Sequence, residues 1–216
     1  MGQPERSHQK RSAETRRRLI EAGSSVFASR GFEGATTRAI AEEAEVALAS
    51  LPYHFKTKES LWMAVCDEAF GRFAERMAHA RASIRDLGAR ERTRHMLAEY
   101  VRFTAENPQM LQIAFQEGTS HNDRSQWLVE KHLRPNFEYV KSEILRAVDN
   151  GYGRSGRLEH LHYMMVGAAA LPYVVGPEFQ LLTGRGVVDP DMIDAHVDAV
   201  LDLFYPSVDA TASQEE

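Results

Sequence analysis

The 216-residue sequence predicts an all-α protein. Apolar residues recur at three- and four-residue steps through most of the chain, and helix start and stop residues separate the periodic stretches. No stretch alternates apolar and polar residues as a half-buried strand does. A hydrophobic content of 43% and a charged content of 26% suit a globular chain rather than a disordered one.

Each element follows from that pattern. Residues 1–12 have no apolar period and read as a flexible basic arm. From Glu14 a helix begins, with Leu19, Ala22 and Val26 beside Ile20, Gly23 and Phe27. Gly31 stops it, because glycine takes the left-handed conformation at little cost. Thr36 and Thr37 cap a short helix with Ile40 and Ala44 inward, and residues 46–55 form a second short helix. Thr57 caps a long helix that presents Trp62, Cys66, Phe70, Phe73 and Met77 on one face. Residues 90–107 repeat the period, Pro108 restarts the chain at a first-turn position, and residues 118–122 are a loop. A helix over 123–150 should bend at Pro135. After a turn at 151–156, two apolar helices over 157–183 and 190–205 close the body. Residues 207–216 read as a flexible tail.

Charge and special residues exclude several classes. The net charge of −5 divides unevenly: residues 1–60 carry 10 cations against 8 anions, and residues 61–216 carry 16 against 23. A slightly basic head on an acidic body can still meet nucleic acid, with the body held away from phosphate. The single Cys66 excludes an intramolecular disulfide and a cysteine zinc cluster. His160 and His162, two residues apart on a helix, point to different sides and suit no shared metal. No serine elbow, phosphate loop or dinucleotide fingerprint occurs, so neither enzymatic activity nor a cofactor is expected. The opening residues are polar and the longest apolar run, 164–176, is short and holds Pro172, so a cytoplasmic protein without a membrane span is expected.

Three short helices with tight connections suggest a helix-turn-helix. The support is 37–44, the turn lies near 45–47, and the reading helix is 48–54. The run TTRAIAEEAEVALASLPYHFKTKESLW resembles the DNA-binding segment of the TetR family of bacterial transcriptional regulators. Thr36, Ile40, Ala41, Val46, Tyr53, His54, Phe55, Lys58, Glu59 and Leu61 match the family pattern. The upstream LIEAGSSVFASRGFEG is similar to its first helix and Gly-Phe turn, and the resemblance by motif covers about residues 15–70.

Three positions depart from the family pattern. Glu45 stands where the turn glycine belongs, which at positive φ costs about 1 kcal/mol. Ala47 replaces the capping serine, a loss of roughly 1 kcal/mol. Pro52 replaces a tyrosine and should shorten or bend the reading helix.

The resemblance implies residue roles. Thr36, Thr37 and Arg38 at the support helix, and Ala47, Leu48, Ala49 and Ser50 at the reading helix, are expected at double-stranded operator DNA. Tyr53, His54 and Lys58 are expected to donate to phosphate. This defines a DNA-binding domain at 13–60, with effector sensing and dimerisation assigned to 61–206. For the homodimer, the candidate stripe is Leu158, Leu161, Met165 and Ala169 with Ile193, Val197, Val200 and Phe204. For a small apolar or aromatic effector, the candidates are Met96, Phe103, Met110 and Phe115, then Trp127, Phe137, Tyr139, Tyr163 and Met164. The expected protein is a ligand-responsive repressor on a near-palindromic operator. Two alternatives stay open: a helical sensor that has lost DNA binding, motivated by Glu45, Ala47 and Pro52, and a helical enzyme using its histidines.

Overall fold

A computed structural model describes residues 3–206, with side chains from residue 9 onward. Among the described residues every regular element is helical, as the periodicity predicts. The head comprises α1 (Gln3–Gly34), α2 (Thr37–Glu43), a 3₁₀ turn (Leu48–Ser50) and α3 (Leu51–His54). Helix α4 (Lys58–Ser83) leads into the body of α5 (Ala89–Glu106), α6 (Pro108–Glu117), α7 (Asp123–Leu128), a π turn (Val129–Leu133) and α8 (Arg134–Asp149). Helices α9 (Leu158–Val174), α10 (Gly176–Thr183) and α11 (Pro190–Phe204) complete it.

Local chemistry sets the element ends. Gly31, at φ 67°, breaks the last turn of α1. The Thr36 hydroxyl accepts the Ala39 N–H at 3.1 Å and starts α2. At α4 a capping box closes: Thr57 Oγ1 accepts the Ser60 N–H at 3.0 Å, and Ser60 Oγ accepts the Thr57 N–H at 3.2 Å. Close packing of α1 on α4 depends on Gly23, where an added Cβ would stand 3.0 Å from the Val65 methyl.

One apolar core spans head and body. Leu19, Phe27 and Ile40 join Leu61 and Trp62, and continue into Phe103, Met110 and Leu128. Helix α4 therefore belongs to both parts and is the stiff connection between them. A second core gathers Leu97, Val101, Ala169, Tyr173, Val197 and Val200 from α5, α9 and α11.

Three expectations about elements are corrected. Residues 3–12, expected as a flexible arm, continue α1 as helix. Lys, Arg, Gln and Glu, frequent in this stretch, are intrinsically good helix formers, and Arg17 adds support by bridging Glu14 at 2.5 Å and Glu21. The single helix expected over 157–183 is two, α9 and α10, bent by 74°. Pro177 supplies no N–H to continue the hydrogen-bond ladder of α9, so the chain turns at Val175 and restarts as α10. The bend expected at Pro135 takes the form of the π turn just before it, where Arg134 N–H reaches back to Val129 O. The tail assigned to 207–216 and the first two residues of the arm lie outside the described residues.

Candidate nucleic-acid interface and effector cavity

The reading element is short because its sequence allows little more. Ala47 precedes the 3₁₀ turn without a side-chain cap, and Pro52 sits in the first turn of a four-residue α3. Burial holds it in place: Ile40, Ala44, Leu51 and Phe55 pack into the head core. That leaves Thr36, Arg38, Ala47, Leu48, Ala49 and Tyr53 on the surface, with Thr37, Ser50 and His54 half-buried. Tyr53 is 73% exposed, its ring edge-on to His54 at 5.0 Å.

The interface is cationic where it meets α1. Arg16 lies 5.2 Å from the centre of the Phe55 ring. Burial, then the Arg16 charge, holds the His54 imidazole below its ordinary range, so at neutral pH it is an uncharged ring. Arg38 pairs with Glu42 at 2.9 Å, an exposed contact worth at most about 1 kcal/mol and readily exchanged for a phosphate.

Lys58 does not stand with these residues. Its ammonium donates to Phe32 O at 2.8 Å and Ala35 O at 3.1 Å, and it lies 4.3 Å from the centre of the Phe32 ring. The expected phosphate donor is a clamp between α4 and the end of α1, because that end leaves carbonyls needing donors.

The same ring joins head to body. The Arg124 guanidinium of α7 lies 3.7 Å from the centre of Phe32, and Phe32 meets Trp62 edge-on at 6.2 Å. Gln116 of α6 donates to Ala28 O at 2.6 Å. Phe32 is thus held between cations from α4 and α7, an arrangement no sequence spacing signals.

A cavity of about 90 Å³ opens between α4, α5, α8 and α9. Phe73, Met77 and Arg81 face it at four-residue steps, and Thr93, Met96, Leu97 and Tyr100 at positions i, i+3, i+4 and i+7. From α8 come Asn136, Tyr139, Val140 and Glu143. Burial, with lesser contributions from Tyr152, Glu143 and Tyr139, pushes the Tyr205 hydroxyl up to about 12, and burial also raises Tyr100 and Tyr139. The phenols at the cavity are therefore neutral donors at physiological pH.

Of the expected effector residues, only Met96 and Tyr139 line this cavity. Phe103 and Met110 are buried in the first core, and Trp127 packs against Trp62 at 5.7 Å. Phe115 is exposed on α6, and Tyr163 and Met164 point outward from α9. Phe137 instead meets His162 edge-on at 4.7 Å. The π turn sets the phase of α8 and brings Tyr139, not Phe137, to the cavity.

The expected dimer stripe is also corrected. Leu161, Ala169, Val197, Val200 and Phe204 are buried within the chain. Met165 and Ile193 pack partly buried against the second core, and Leu158 is half-buried. The stripe found by periodicity is the intrachain one. Helix α9 is apolar on its other face too, where Tyr163, Met164 and Leu171 are exposed and Gly167 has open space above it. Leu181 and Leu182 of the following helix, α10, are also exposed, at 87% and 78%.

Comparison with known proteins places these features. The family described as bacterial regulatory proteins, tetR family, matches residues 19–65. A relative, the HTH-type transcriptional repressor AcnR of Corynebacterium glutamicum, is 30% identical over 149 residues, covering 68% of this chain and 74% of its own. The probable HTH-type transcriptional regulator YttP of Bacillus subtilis is 24% identical over 105 residues, covering 49% of this chain and 51% of its own. Among solved structures, AibR in complex with isovaleryl coenzyme A and operator DNA superposes with a TM-score of 0.70 at 15% identity, covering 89% of this chain and 98% of that one. HlyIIR, a hemolysin II transcriptional regulator, gives 0.63 at 19% identity, with 87% and 97% covered. At these identities the structural likeness concerns the fold.

Proposed function

The chain belongs to the tetR family of bacterial regulatory proteins and is a DNA-binding transcriptional regulator rather than an enzyme; from that premise we propose that it is a ligand-responsive repressor, acting as a homodimer on a near-palindromic operator. The observation that carries this reading is the surface of the head. Arg38, Leu48 and Tyr53 project from elements whose own core residues are buried, so these side chains are exposed toward base edges and phosphate, Arg38 through an ion pair with Glu42 that a phosphate can replace. Thr36, Thr37, Ala47, Ala49, Ser50 and His54 complete the proposed contact set, without Lys58. Action on DNA in the cytoplasm is part of this reading.

Dimerisation is proposed through the outer face of α9 and α10. Tyr163, Met164, Leu171, Leu181 and Leu182 are exposed apolar side chains of the kind that are covered in symmetric oligomers, and Gly167 permits close approach of two helices. The cavity beside α4 is the proposed effector site. Its occupancy would shift α4, and with it the Lys58 clamp and the spacing of the two heads.

Binding-site selection on random duplexes tests the function. Recovery of an enriched inverted repeat, bound with a steep salt dependence, is the expected result. A pool with no enriched sequence would favour a sensor without specific DNA binding.

A further inference from the structure

We propose that the effector is a small carboxylic acid bound as its anion, with its apolar body against Phe73, Met77 and Met96 and its carboxylate on Arg81. The inference rests on the effector role proposed above for this cavity.

Size and lining set the body of the ligand. About 90 Å³ accommodates on the order of six heavy atoms. That favours a short aliphatic or monocyclic group over a nucleotide or a long acyl chain. Two methionines and an aromatic ring adapt to such a shape without supplying specific polar contacts.

Charge sets the head. Two ionisable side chains of opposite sign face the cavity, Arg81 and Glu143. Glu143 is held by Arg146 at 3.0 Å. Arg81 stacks over the Tyr139 ring at 4.6 Å, and among the described residues no carboxylate pairs with it. A stacked guanidinium keeps donors in its plane, and two of them match the two oxygens of a carboxylate. Asn136 and Tyr139 beside it can donate further. The aromatic rings could in principle cage a cation, but Arg81 already covers one of those faces and repels positive charge. A dianionic phosphate would meet Glu143 with a single arginine to balance it, so a monoanion is favoured.

The test is isothermal titration of the full chain with hexanoate and benzoate, each against its amide. It compares wild type with Arg81→Gln and with the cavity-filling Met96→Trp, whose melting curves confirm folding. At least one acid should bind ten-fold or more tightly than its amide, Arg81→Gln should erase that preference while leaving amide binding in place, and Met96→Trp should block both. An amide that matches its acid, a preference that survives Arg81→Gln, or failure of both acids to bind overturns the carboxylate assignment. Acid binding that survives Met96→Trp in a folded protein overturns the effector role of the cavity itself.

Discussion

Arg18 of α1 holds Glu45 of the helix-turn-helix turn at two points: its Nη2 lies 3.0 Å from the Glu45 carboxylate and 3.3 Å from the Glu45 carbonyl oxygen. Glu45, at φ 50°, is the one non-glycine residue with positive φ among the described residues. The backbone conformation that a glycine would supply at little cost is thus kept by a glutamate, with a cation from another helix fastened to both its ends. The turn remains tight, with the Val46 N–H bonded to Ala41 O at 3.0 Å.

Substitution at Glu45 separates strain from pairing. Glu45→Ala keeps the strained φ and loses the ion pair, whereas Glu45→Gly relieves the strain. Glu45→Ala is therefore expected to be less stable than Glu45→Gly by about 1 kcal/mol, with Glu45→Gly close to wild type. Urea unfolding of the three proteins checks the order. Equal stability of the alanine and glycine variants would mean that the turn stores no strain.

Two residues expected at phosphate should behave differently. Tyr53→Ala removes an exposed ring, so it should leave the unfolding free energy within about 0.5 kcal/mol of wild type while weakening operator binding. Lys58→Ala leaves the Phe32 and Ala35 carbonyls without their donor and should cost about 1–3 kcal/mol of stability. Its effect on the salt slope of DNA binding should be small, since its ammonium is engaged by the Phe32 and Ala35 carbonyls. A slope reduced by about one unit with unchanged stability would restore Lys58 to the phosphate contacts.

What the sequence made legible follows from range. Helix existence, the Thr36 and Thr57 caps and the strained Glu45 depend on neighbours a few residues away, and all are present in the fold. The inward face of α4 was equally readable, because one continuous helix carries Trp62 to Met77 without a phase change. The cavity was not, since the π turn at 129–133 resets the phase of α8 and no local pattern announces it. Helix α9 misled for another reason: apolar on two faces, it gives periodicity no means of choosing between chain core and outer surface. The Lys58 clamp needed the position of the end of α1, which is tertiary information.

The two faces of α9 and α11 yield separable outcomes. Met164→Glu and Leu171→Glu place charge on the exposed surface, so sedimentation should show monomers with little loss of monomer stability. Phe204→Ala, in the second core, should cost about 3 kcal/mol. A dimer that persists in the Met164→Glu, Leu171→Glu double variant would move the interface off this face.

Stability should fall as the solution is acidified below about pH 6.5, and buried histidines are the cause. His162 is buried edge-on to Phe137 with its Nδ1 unpartnered, and burial holds its pKa below the ordinary 6.5. His132, stacked on Phe70 at 5.1 Å, is lowered by burial too, which outweighs the Asp67 carboxylate 2.9 Å away. Between the folded and unfolded pKa values the unfolded chain binds more protons, so stability is full above the unfolded value and declines as pH falls through the window beneath it. His162→Leu removes one of these protons from the balance and leaves no orphaned nitrogen. Melting temperatures between pH 8 and pH 5 should therefore fall less steeply for His162→Leu than for wild type, with the two curves parallel above pH 7. A variant whose decline matches wild type over the acidic range would clear His162 of any part in it.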